Sequence, residues 1–298
     1  MPCRHLLAAI CLWSLLLNAR VEAAVRVVAT IFPVADMVRQ IGRDAVEVIT
    51  LLPPGASPHT FEPTSAQMRE VAGARVFVRV GAGLDSWTEK LLAARNPTLT
   101  VLTLTDGVRL LSLTAARADE PAASGGHGGD PHIWLDPLLV RDQLVPAISK
   151  VLIDAAPEQR ALFEAAAAEL RESLTRLDAD IRAALAPLPN RNYIGFHAAW
   201  RYFGERYGLH QVAVVEAFPG KEPSARDIAA VVERARAAHV RAILIEPQMN
   251  PRVAEQIARD CGAQTRVVDE LGAPNLPGRN HYIDLMRYNS AVFAEALR

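Results

Sequence analysis

Four residues, far apart in the chain, have the types that hold a metal ion. His59 lies in Pro58-His59-Thr60-Phe61-Glu62-Pro63, and His132 in Pro131-His132-Ile133-Trp134-Leu135-Asp136-Pro137. His197 follows the β-branched and aromatic run that ends at Phe196, and Asp269 follows Val267-Val268. Three imidazoles and one carboxylate suit a four-coordinate zinc ion. The same nitrogen and oxygen donors also hold manganese and other first-row metals. Pro58 and Pro131 fix their own backbone angle just before two of the histidines. His197 is expected to open a helix, whose N-terminus disfavours imidazolium and leaves the ring free to coordinate. Taken singly, each residue has a plainer reading. A lone histidine after a strand is more often a hydrogen-bonded structural residue, and a lone aspartate a cap or turn residue. Glu62 reads equally as an acceptor for a ligand histidine or as a surface charge. His127 reads as a loop residue, and His210, His239 and His281 have no supporting context.

The elements that must bring these residues together alternate strand and helix. Strands are expected at 25–31, 46–52, 75–80 and 99–104, with helices at 32–41 and 63–72. The pattern returns with strands at 192–196, 211–217, 241–246 and 265–268 and helices at 197–207, 224–237, 251–261 and 282–297. Ser224 is the expected cap of its helix. Such alternation points to α/β lobes with mainly parallel sheets. Between them, 156–185 carries no proline after Pro157 and no glycine, with Leu162, Ala166, Leu170, Leu174 and Leu177 at helical spacing. This predicts one long rigid helix of roughly 40 Å joining the lobes. His59, His197 and Asp269 then fall at the carboxyl ends of strands, where α/β proteins collect ligands. His132 sits in a loop leading to the connector. Two candidates come from each lobe, so a cleft between the lobes is their natural meeting place.

The start of the chain reads differently. Arg4, an apolar run over 6–17 and the small-residue stretch Val21-Glu22-Ala23-Ala24 have the form of a secretory signal peptide. The run is short for a membrane span, which needs about 20 residues. The expected organisation is a signal at 1–24, an N-terminal lobe at 25–155, a connecting helix at 156–187 and a C-terminal lobe at 188–298. This describes a soluble periplasmic protein. Cys3 and Cys11 leave with the signal, so Cys261 alone remains, and neither an internal disulfide nor a cysteine-rich metal site can form. Cys261 is expected as a small buried hydrophobe. The formal net charge of −1 offers no electrostatic case for nucleic acid or a general membrane surface. The segment 118–130, Ala-Asp-Glu-Pro-Ala-Ala-Ser-Gly-Gly-His-Gly-Gly-Asp, reads as a surface loop.

The motifs around His59 and His132, the Phe196-His197 pair before an aromatic helix, and Tyr282-Ile283-Asp284-Leu285-Met286-Arg287-Tyr288-Asn289 resemble the cluster A-I family. These are the solute-binding proteins of zinc and manganese ABC transporters. The resemblance spans the mature chain. It implies two α/β lobes bridged by a long helix, with His59, His132, His197 and Asp269 holding the metal between them. Asp284 lies inside the last helix motif and matches the ligand position less well. The resemblance also implies that manganese members usually carry glutamate where this chain has His197, which favours zinc as cargo over manganese. Zinc members often carry a long histidine-rich loop, and the loop here has only His127. The implied partner is the membrane permease subunit of an ABC importer, with a periplasmic metallochaperone as a further candidate, and the implied protein is a monomer without catalysis. Two rivals remain. A zinc hydrolase would need an open water position and a base such as Glu62 or Glu222, but no HExxH or GxSxG occurs. An adhesion or interaction module would use the metal structurally.

Overall fold

A computed structural model of the protein describes residues 23–93, 95–112, 129–216 and 220–298. The signal peptide expected at 1–24 thus falls almost wholly outside the described residues, as do His127 and most of its loop. In the first lobe, β1 (Val25–Ala29) leads into α1 (Phe32–Gly42), β2 (Val46–Thr50), α2 (Ser65–Ala72), β3 (Val76–Arg79), α3 (Thr88–Ala93) and β4 (Thr100–Thr103). Its four strands are all parallel, in the order β2-β1-β3-β4. Pro33 sits in the first turn of α1, where its missing N–H costs nothing. Thr64 caps α2 through a capping box with Gln67, so the helix begins two residues later than its apolar spacing suggests.

The chain next forms α4 (Pro137–Leu139), a π turn over Val140–Leu144, and α5 (Val145–Ala155). These helices, and α3, escape a reading by periodicity alone. Asp136, which caps α4 from directly before Pro137, is nevertheless a start signal. Pro146 interrupts the pattern, and the wide turn directly precedes it.

The connector is α6 (Arg160–Leu185), 26 residues long, entered through a 3-10 turn at Pro157–Gln159. Its length is therefore roughly 39 Å at about 1.5 Å per residue. Its buried stripe runs Phe163, Ala166, Ala167, Leu170, Leu174, Leu177, Ile181 and Leu185. Leu162 lies outside that stripe and is exposed, because Phe163 takes the core side of the first turn.

The second lobe repeats the first. It comprises β5 (Asn192–Gly195), α7 (Arg201–Tyr207), β6 (His210–Val214), α8 (Ala225–Ala237), β7 (Ala242–Ile245), α9 (Pro251–Cys261), β8 (Gln264–Val267) and α10 (Tyr282–Ala296). Its sheet is again fully parallel, in the order β6-β5-β7-β8. Ser224 caps α8 with Asp227 in a reciprocal box, as expected. One apolar core crosses the lobe boundary. It joins Val38, Trp134 and Ile148 to Leu174 and Leu177 of α6 and to Tyr193, Leu244 and Phe293 of the second lobe. Smaller cores lie on the outer faces of the sheets, around Phe77 and Trp87 and around Ile243 and Ile257. Cys261 is half-buried at the edge of the latter. Two parallel α/β lobes on a long helix are the architecture expected from the alternation of elements. Among the described residues, no helix is long and apolar enough to cross a membrane.

Candidate metal centre

His59 stands in the loop from β2 to α2. Trp87 Nε1 donates to the Pro58 carbonyl at 2.9 Å, and Phe61 packs edge-on against the Trp87 ring, so the loop is pinned on both sides of the histidine. His132 opens the short 3-10 turn Ile133–Leu135. Its backbone N–H donates to Asp130 Oδ1 at 3.0 Å, and the same oxygen lies 2.7 Å from its ring Nδ1. His197 leaves the carboxyl end of β5 in extended conformation and precedes the turn Ala198–Trp200.

The three imidazoles converge. One ring nitrogen from each lies within 4.8 Å of the others, and the ring centroids are 5.3, 5.9 and 5.4 Å apart. His59 Nε2 is 3.3 Å from His132 Nε2. Zinc–nitrogen bonds of about 2.0–2.1 Å at tetrahedral angles put two ligand atoms ~3.3 Å apart, so this spacing fits one shared ion. His132 and His197 are almost fully buried, whereas His59 is half-buried and is the member of the trio that meets solvent.

The carboxylate at the trio is Glu270. Its Oε2 lies 3.2 Å from His197 Nε2 and 3.9 Å from His132 Nε2. His197 Nε2 and Glu270 Oε2 are buried and make no hydrogen bond despite this approach. Buried polar atoms almost always have partners, and two such atoms side by side fit joint coordination of a cation. Glu270 Oε1 accepts from Gln248 Nε2 at 2.9 Å, which leaves Oε2 turned to the histidines. The Glu270 carbonyl accepts from Trp134 Nε1 at 2.8 Å, so the segment that carries His132 is tied directly to the one that carries Glu270.

Asp269 is held differently from the expectation. Its Oδ1 accepts the N–H groups of Leu271 and Gly272 at 3.0 and 2.8 Å, and its Oδ2 accepts from Arg279 Nη1 at 3.0 Å. Asn289 bonds both its N–H and its carbonyl. Neighbouring residues on an extended segment face opposite sides, so only one of the Asp269–Glu270 pair meets the histidines here. Glu246, at the end of β7, completes the surroundings. Its Oε1 lies 3.1 Å from His197 Nδ1 and accepts from Trp200 Nε1 at 3.0 Å. Asp130 behind His132 has the geometry of a carboxylate that orients a metal-binding imidazole, and Glu246 stands at the same place behind His197, 3.1 Å from its Nδ1 though off the line of a hydrogen bond.

The electrostatics divide the trio. Burial and the adjacent His132 imidazole push His59 down to about 3, against the pull of Glu270. For His197 burial also acts downward, but Glu246 and Glu270 outweigh it and raise the ring well above its ordinary value. Two carboxylates at contact distance therefore oppose the helix N-terminus that was expected to keep His197 neutral. Burial pushes Glu270 upward, yet His197, then His132 and His59, hold it down to about 2.

Glu246, Glu270 and Asp130 were not singled out by sequence reasoning. Glu246 ends an expected strand, so the strand-end rule that selects His197 would have found it. Glu270 carried no signal beyond its neighbour Asp269. Glu62 is solvent-exposed, 4.0 Å from Lys90, and Glu222 is exposed as well, so neither serves as a base at the histidines. His281 lies on the first lobe's Asp36, away from the trio.

A sequence profile described as "ZnuA: Zinc-uptake complex component A periplasmic" matches residues 27–296. The zinc-binding protein AdcA of Streptococcus pyogenes serotype M3 is 27% identical over 289 residues, covering 90% of this chain and 55% of that protein, so the chain spans about half the length of that relative. The high-affinity zinc uptake system protein ZnuA of Bacillus subtilis is 26% identical over 280 residues, covering 91% of this chain and 87% of that protein. A crystal structure of ZnuA superposes with a TM-score of 0.81 at 29% identity, over 92% of this chain and 100% of that one. The chain belongs to the ZnuA family of periplasmic metal-binding proteins.

Proposed function

We propose that this protein captures Zn(II) in the periplasm and hands it to the membrane permease subunit of an ABC importer. The observation that carries this reading is the convergence of His59, His132 and His197 from two lobes, with one ring nitrogen of each within 4.8 Å of the others and the His59–His132 pair 3.3 Å apart. Three imidazoles favour zinc over manganese, which prefers oxygen donors. The fourth donor comes from the Asp269–Glu270 pair. Glu270 is the member within reach of the ion, and Asp269, the residue implied by the family motif, would have to leave Arg279 to bind. The metal is cargo. Its binding displaces the proton that Glu246 and Glu270 favour on His197, so uptake releases protons and acid promotes release. Ligands from both lobes make the closed arrangement the one that metal favours.

The test is a competitive chelator titration of the metal-stripped mature protein, with zinc and manganese in parallel. One-to-one zinc binding should weaken in His132→Ala and His197→Ala by more than the ~10–100-fold that loss of an outer-shell partner costs. Glu270→Ala and Asp269→Ala then identify the fourth donor by which of them loses zinc. Manganese winning would change the cargo and keep the site. No tight binding of either metal would sink the site and return the adhesion or interaction reading.

A further inference from the structure

A cavity of about 260 Å³ opens between the lobes at the base of the two segments that carry His59 and Glu270. Its first-lobe wall includes Phe32, Leu52 and Pro53, and its second-lobe wall includes Leu271, Ala273 and Pro274. The space corresponds to roughly nine water molecules at ~30 Å³ each, enough for a small organic molecule. The charged group in this mainly apolar lining is Arg39 of α1, with Thr50 beside it.

Arg39 is half-buried and makes no direct ion pair among the described residues, although Asp36 one turn earlier favours its charge from a distance while burial opposes it. Its Nη2 donates to the Val48 carbonyl at 3.1 Å and to Thr50 Oγ1 at 3.3 Å, while Nε and Nη1 make no hydrogen bond among the described residues. Asp36, one turn earlier, is engaged elsewhere, with Gln40, His281 and the Tyr282 N–H. Among other half-buried guanidinium groups, Arg79, Arg206 and Arg279 each meet a carboxylate, and Arg191 spends its donors on three backbone carbonyls. A partly desolvated cation without a directly paired carboxylate is costly, and a planar fork of free N–H donors matches a carboxylate.

We propose that this cavity binds a small carboxylate whose anionic end pairs with Arg39 and whose apolar body lies against Phe32, Leu52 and Leu271. Such a ligand touches both lobes. Where the metal site works as proposed above, it favours the closed arrangement and slows departure of the metal.

Benzoate is a suitable probe. Titrated into the metal-free mature protein and followed by ligand-observed NMR, it should bind saturably with Kd on the order of 1 mM, the range expected of so small a ligand. Arg39→Leu should weaken it at least tenfold. Ala273→Phe, which fills the cavity from the other lobe and leaves Arg39 in place, should do the same. Inorganic phosphate should bind more weakly than benzoate. Absence of saturable benzoate binding, binding that both variants leave unchanged, or phosphate binding as tightly as benzoate would overturn the assignment. Zinc release to a chromophoric chelator, timed with and without saturating benzoate, reads the coupling separately. Unchanged release with benzoate bound would overturn the coupling alone, and a protein that binds benzoate but no zinc would fault the zinc reading and not the cavity.

Discussion

At the scale of single residues, the three histidines are unequal. His132 and His197 are buried and backed by Asp130 and Glu246, whereas His59 is half-buried in a loop, with no carboxylate behind its ring among the described residues. Replacing Glu246 by Gln should lower zinc affinity about 10–100-fold, and Asp130→Asn similarly, as read by chelator competition. His59 also sets part of the acid stability of the metal-free protein. Its folded value of about 3 lies below its ordinary 6.5, so the unfolded chain binds more protons between those limits. Stability from this group is therefore complete above pH 6.5 and lost as pH falls towards 3. Glu270, held down to about 2 from an ordinary 4.5, adds a loss below pH 4.5. His197 acts oppositely, since its raised value favours the folded state below pH 6.5 and that gain fades as pH rises through the folded value. Urea midpoints measured from pH 7 to pH 4 should fall less steeply in His59→Gln than in the unaltered protein, and equal slopes would remove His59 from the account.

At the scale of elements, the donors are placed by strand ends and by the short segments after them. In the sheet order β6-β5-β7-β8, the chain leaves β5 and β7 in opposite directions across the sheet, which makes their carboxyl ends a switch point. His197 and Glu246 stand there, one on each strand end. The connector α6 supplies the layer beneath both lobes. Leu174 is fully buried at its centre, so Leu174→Ala should cost ~2–5 kcal/mol, read as a fall in the urea midpoint. Thr64→Ala, which removes the capping box of α2 just after the His59 loop, should cost about 1 kcal/mol and leave zinc affinity nearly unchanged.

At the scale of the molecule, the packing predicts that the lobes unfold as one cooperative body. Their main core is continuous, and polar ties cross between them. Trp134 donates to the Glu270 carbonyl, Tyr282 OH donates to the Trp134 carbonyl at 2.6 Å, and Arg206 grips Asp136 with both its Nε and Nη2. Calorimetry of the metal-free protein should show a single transition, and two resolved transitions would mean that the lobes melt apart. Zinc in excess of its Kd by ~1,000-fold should add about 4 kcal/mol, which for a chain of this size raises Tm by roughly 10 °C. Motion on the proposed metal release is expected to stay in the loops around His59 and Glu270, because a wide hinge opening would break the shared core.

The alternation of β-branched runs with helical spacing was enough for two parallel α/β lobes, and the glycine-free stretch before Leu185 for the rod between them, since local periodicity follows from which face each element must bury. The histidines stood out because their types and strand-end positions carry chemistry before any fold is known. Choosing between Asp269 and Glu270 was beyond that reading. Adjacent residues differ by one step in a period of two, and which side faces the histidines depends on Asn289, Arg279 and Trp134, residues 10 to 136 positions away along the chain. The charge on His197 likewise depends on Glu246, 49 residues distant, which β7 brings to contact. Sequence period determines what an element buries, whereas the direction a single polar side chain takes at its end is decided by the neighbours that tertiary packing supplies.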